Sequence, residues 1–167
     1  METALEVLAP AGLLLAFPAV MLGALIATVG RRVEVPVPPV GRWSNAAYAL
    51  LMVVVGAGVT LAGFAIPSLL RIDDWFFSVA IAVVLVVVLC ATRKLPNHPV
   101  TGPLFGALAA TVGVGIASVV DALTHFNDGA GLWAIGLFYA WIMCGLPLLL
   151  AASVIALVRR DAATMPE

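Results

Sequence analysis

Asp121 and His125 stand four residues apart, so on a helix they share a face. Asp128 follows them, and Asp73 with Asp74 forms a second acidic pair elsewhere in the chain. A carboxylate–imidazole group of this kind could hold a divalent cation or relay protons, the carboxylates favouring the charged ring. The plainer reading is a solvated acidic rim, because carboxylates at a membrane surface keep their water. Other chemistry has no residues to carry it. The chain has no Gly-x-Ser-x-Gly, no His-Glu-x-x-His, no Cys-x-x-Cys and no phosphate-cradling glycine loop. His98 and His125 are expected on opposite sides of a membrane, which rules them out as a pair of axial haem ligands. No cofactor is expected, and the sequence leans away from an enzyme.

The elements that must position these residues follow from composition. Of 167 residues, 63% are hydrophobic and 10% charged, with a mean hydropathy of +1.17. Soluble domains run at about 45–50% apolar and about 25% charged, so lipid is the solvent implied for most of this chain. A net charge of −1 argues against nucleic acid, which needs a basic face. Cys90 and Cys144 fall at helix depths differing by roughly 15 Å, too far for a disulfide, which needs Cα atoms within about 7 Å. The first six residues carry two acids and no base, the reverse of a signal peptide, so a permanent helix is expected there.

Charged residues cut the chain into five long uncharged runs, each of at least 18 residues, where crossing the hydrocarbon core takes about 20. Backbone polar groups in lipid must pair within their own segment, so the runs become helices. The expectation is an all-α, polytopic transmembrane helical bundle with five spans near 6–30, 43–70, 75–92, 103–124 and 131–158. Orientation follows from Lys and Arg. With alternating spans, Arg31, Arg32, Arg42, Arg93, Lys94, Arg159 and Arg160 fall on one side and Arg71 alone on the other. That asymmetry places the N-terminus outside and the C-terminus in the cytoplasm of a cell membrane. Trp43 and Tyr48 read as an inner aromatic belt, and Trp75, Phe76, Phe77 and Trp133 as an outer one. The Pro-rich connection Val33–Val40 reads as a stiff spacer, since consecutive prolines block helix.

Small residues mark faces where backbones can approach. The fourth helix aligns Gly102, Gly106, Ala110, Gly113 and Ala117. The second aligns Gly56, Thr60 and Gly63, with Gly58 and Ala62 beside them. The fifth repeats Gly136, Ala140 and Cys144. The third, almost wholly aliphatic from Val79 to Leu89, is expected to face lipid broadly. Prolines at 18, 67 and 147 should kink their helices, Pro147 freeing the Met143 carbonyl. Residues 31–94 and 93–160 repeat an order of basic pair, glycine-containing helix, outer loop, helix and basic pair, which suggests parallel hairpin repeats.

Together these residues suggest a small accessory or structural subunit of a membrane assembly. The lipid bilayer is its first partner, and a membrane protein or further copies of this chain its second. The competing reading is a small oligomeric channel or carrier whose acidic outer mouth (Asp73, Asp74, Asp121, His125, Asp128) favours cations.

Overall fold

The computed structural model describes residues 2–33, 41–70, 74–124, 137–138 and 141–164, without the side chains of 2–8, 33, 66–70, 74–78 and 162–164. The chain is all-helical. Among the described residues, five long α-helices follow in order: α1 (Glu2–Val33), α2 (Asn45–Leu70), α3 (Asp74–Ala91), α4 (Thr101–Thr124) and α5 (Leu146–Thr164). A π-helical turn, Trp141–Gly145, leads into α5. Among the described residues, four segments are long and apolar enough to cross a membrane: Ala9–Arg32, Asn45–Ala65, Thr101–Thr124 and Trp141–Asp161. The described apolar part of α3, Val79–Ala91, is shorter.

Local chemistry sets the ends. The Ser44 hydroxyl accepts the Ala47 N–H at 3.2 Å and so caps α2. That cap moves the start of α2 past Trp43, which instead bridges to Pro96. Within the helices, hydroxyls donate to carbonyls four residues back: Thr28 to Ala24, Thr60 to Gly56, Thr111 to Ala107, Ser118 to Val114 and Ser153 to Leu149. Each polar group is thereby satisfied by its own helix, as an apolar surround requires. The fifth helix does not run unbroken to its proline. Pro147 lacks an N–H, and the wider π turn sits directly before it, a common way to accommodate the freed carbonyl.

The core is built on α4. In its spanning window 67% of residues are buried, against 6% for α1. The tightest contact is between α2 and α4, which run parallel. A Cβ added at Gly113 would strike the Val53 carbonyl, and one added at Gly56 the Ala110 carbonyl. On α2 the buried face runs Tyr48, Met52, Gly56, Thr60, Gly63, in steps of four and three. Gly102, Gly106, Ala110, Gly113 and Ala117 of α4 are all buried. Gly58 instead lies on the outward side of α2, with no atom within 4 Å of where its Cβ would stand.

Two sequence expectations are corrected. The third helix does not face lipid broadly: Ile81, Ala82, Leu85 and Leu89 are buried, while Val79, Val83, Val84 and Val87 are exposed. An all-aliphatic helix has no polar face to reveal its inner stripe, and here the stripe packs between α2 and α5. It is α1 that stands apart, resting on α4 and exposing Leu13, Phe17, Val20, Met21 and Leu25. Nor does Tyr48 join an interfacial belt, for its ring is fully buried against Gly106, where a missing side chain leaves room.

Candidate functional site at the basic end

Contacts between helix ends fix which termini lie together. Gly30, near the C-terminus of α1, meets Thr101 at the start of α4. Asn45, opening α2, donates from Nδ2 to Thr101 Oγ1 at 3.2 Å. Tyr48 reaches Thr92, just past α3, and Arg159 of α5 reaches the Arg93 carbonyl. The ends of α1, α3 and α5 and the starts of α2 and α4 therefore share one end of the bundle. Arg31, Arg32, Arg42, Arg93, Lys94, Arg159 and Arg160 belong to those ends, and they are all the Lys and Arg among the described residues.

The polar groups of this end form a network across four helices. Thr92 Oγ1 donates to the Val88 carbonyl at 2.8 Å, which uses its single proton. The Tyr48 hydroxyl, 2.9 Å away, is then the donor to Thr92. Arg159 Nη1 donates to the Arg93 carbonyl at 2.6 Å, joining α5 to the turn after α3. The segment after that turn is pinned to the entry of α2: Trp43 N–H donates to the Leu95 carbonyl at 3.1 Å, and Asn97 N–H to the Trp43 carbonyl at 2.9 Å. Gly102 leaves space for the Pro96 ring, which closes the start of α4 over this loop.

Three atoms of the region are buried without a hydrogen-bond partner: Asn45 Oδ1, Asn97 Oδ1 and Arg159 Nη2. Trp141 Nε1, at the π turn, is a fourth. An orphaned buried donor or acceptor costs roughly 1–3 kcal/mol, so such atoms mark places where water or a ligand is expected. The basic end offers cations and amides with hydroxyls already engaged. It suits holding an anion or locking helix ends, and its described residues include no nucleophile paired with a base.

The acidic candidates from the sequence are less fully placed. Asp121 lies in the last turn of α4, half-buried, and its carbonyl accepts the Thr124 hydroxyl at 2.9 Å. Asp74 opens α3, but its side chain is outside the described set. Asp73, His125 and Asp128 lie outside the described residues, as do Gly136 and Ala140 of the fifth small-residue series. Among the described residues, no group of three or more His, Cys, Asp or Glu could hold a metal ion. Cys90, exposed, and Cys144, buried, are both free thiols.

Sequence reasoning missed the basic-end network. Its bonds join residues 44, 56 and 66 positions apart, and no local spacing announces them. The one available signal was compositional: Thr92 directly precedes a basic pair, and Asn45 directly follows a capping serine. No known protein family, curated protein or solved structure matches the chain.

Proposed function

We propose that this chain is a five-span integral protein of a cell membrane, N-terminus outside and C-terminus cytoplasmic, serving as a small accessory or structural subunit of a membrane-protein assembly. The supporting observation is how few polar side chains its described core holds. Thr60, Thr101 and Thr111 are the buried polar side chains of the described core, and the hydroxyls of Thr60 and Thr111 return to their own helices. The α2–α4 contact is backbone against backbone, which leaves no polar route between them. Conduction needs a wettable path, and catalysis needs convergent polar groups. A packed wedge that orders its neighbours needs neither. The fifth span in this reading is α3, whose 18 residues rise about 27 Å, close to the hydrocarbon thickness of about 30 Å.

Two measurements on the purified chain test the role. Reconstituted alone in liposomes, it should pass neither cations nor small solutes above the rate of empty vesicles. Extracted gently from its native membrane, it should migrate with other chains at a fixed stoichiometry, and deleting it should impair their assembly. Cation flux through the chain alone would replace the subunit reading with a channel.

A further inference from the structure

Arg159 differs from the other six cations at its end. Arg31, Arg32, Arg42, Arg93, Lys94 and Arg160 are exposed, as expected of residues that fix topology or complement helix C-termini. Arg159 is half-buried and is held by Nη1 against the Arg93 carbonyl. Its Nη2, on the same planar fork, is buried and unpartnered. Asp161 is the one described acid at this end, but two residues along a helix point to different faces, so it does not serve Arg159. Arg93 and Lys94 lie in the turn after α3, the Arg93 carbonyl against the guanidinium, and Arg160 follows it on α5. A guanidinium fixed by one arm beside exposed cations is a positioned charge for a phosphate.

The level of the cluster identifies the source of that phosphate. Arg159 closes the apolar run of α5, and Thr92 and Arg93 close that of α3. Trp43, 40% exposed, lies at the same end, at the depth where aromatic side chains meet headgroups. We infer that the paired ends of α3 and α5 bind the phosphate of an anionic phospholipid, with Arg159 as the fixed contact and Arg93 and Lys94 closing over it. Basic sites between helix ends on the cytoplasmic side are suited to this headgroup chemistry. The bound lipid would tie α3 to α5 through the same guanidinium that already joins them. The inference does not depend on the subunit role, since it concerns the chain with lipid alone.

The test is native mass spectrometry of the full chain extracted from equimolar phosphatidylcholine and phosphatidylglycerol vesicles. The parent should retain phosphatidylglycerol in preference to phosphatidylcholine. Arg93→Gln with Lys94→Gln leaves the Arg93 carbonyl, and so the Arg159 bond, in place. That variant should lower the preference on the order of tenfold. Arg31→Gln with Arg32→Gln, removing equal charge beside α4, should leave it nearly unchanged. Arg159→Lys keeps the charge but loses the planar group held by the Arg93 carbonyl, so it should lower the preference and melt a little below the parent. Equal losses from the two Gln pairs would overturn the site in favour of diffuse surface attraction, to which each cation contributes alike. No preference in the parent would also overturn it. Displacement of the lipid by millimolar inorganic phosphate would assign the cluster to a soluble anion and overturn the lipid assignment.

Discussion

At the residue scale, glycine decides where helices can touch. Gly113 faces the Val53 carbonyl and Gly56 the Ala110 carbonyl, and a backbone cannot move aside as a side-chain tip can. Gly113→Leu should therefore cost about 3 kcal/mol or more and lower the melting temperature in detergent clearly. Gly58→Leu, two residues from Gly56 but facing outward, should melt within about 0.5 kcal/mol of the parent. If the two variants melted alike, the α2–α4 crossing would not be the tight contact described. Tyr48→Phe offers a finer probe, since it removes the bond to Thr92 while Thr92 keeps the Val88 carbonyl. The loss should be about 1 kcal/mol, whereas Tyr48→Ala, which empties a fully buried site, should cost about 3–5. The glycine ridge of α4 was legible because steps of three and four define a helix face. The side on which Gly58 falls was not, because two adjacent glycine faces on an apolar helix look alike in one dimension.

At the element scale, the helices differ most in how they are held. The buried stripe of α3 contains Leu85 and Leu89 and the exposed face is valine, so both faces are aliphatic and the stripe is hidden from sequence reading. By contrast α1 is held from one side, where Leu15 fills the space over Gly115, and a Cβ added at Gly23 would lie 3.6 Å from the Leu108 side chain. A bulky residue at 115 should push Leu15 away and loosen α1 while leaving α2, α3 and α5 packed. Cysteines at positions 23 and 108, with the native thiols replaced, should be joined by a short bismaleimide in the parent. Adding Gly115→Leu should reduce that crosslink several-fold without a comparable fall in the main melting transition. A crosslink that survived would mean α1 is held by contacts beyond the Gly115–Leu15 seat. The π turn belongs to the same scale: Pro147 announced a disturbance in the sequence, but Gly145 in that turn packs beside Thr111 of α4, a contact no local pattern encodes.

At the scale of the whole molecule, the grouping of the cations at one end was more legible in the sequence than any site. A lopsided set of cations is readable from order alone, given alternating helices, and contacts at Gly30, Asn45, Tyr48 and Arg159 bring those seven residues to one end. The acidic rim needed tertiary knowledge, because His125 and Asp128 are distant in sequence from Asp73 and Asp74, and only Asp121 and Asp74 fall in described helices. The orientation itself is open to direct measurement. Ser44, exposed before α2, and Thr124, exposed at the end of α4, mark opposite ends of the bundle. Single cysteines at these positions, in a chain lacking Cys90 and Cys144, should behave oppositely in intact cells. An impermeant maleimide should label position 124 and leave 44 untouched until the membrane is opened, if the basic end faces the cytoplasm as proposed. Nearly evening the balance should then strain the arrangement: with Arg31, Arg32 and Arg42 changed to Gln and two Lys added after Thr124, part of the population should label at 44. Labelling of position 44 alone in the parent would invert the molecule, and labelling of both positions would mean that the chain inserts in two orientations.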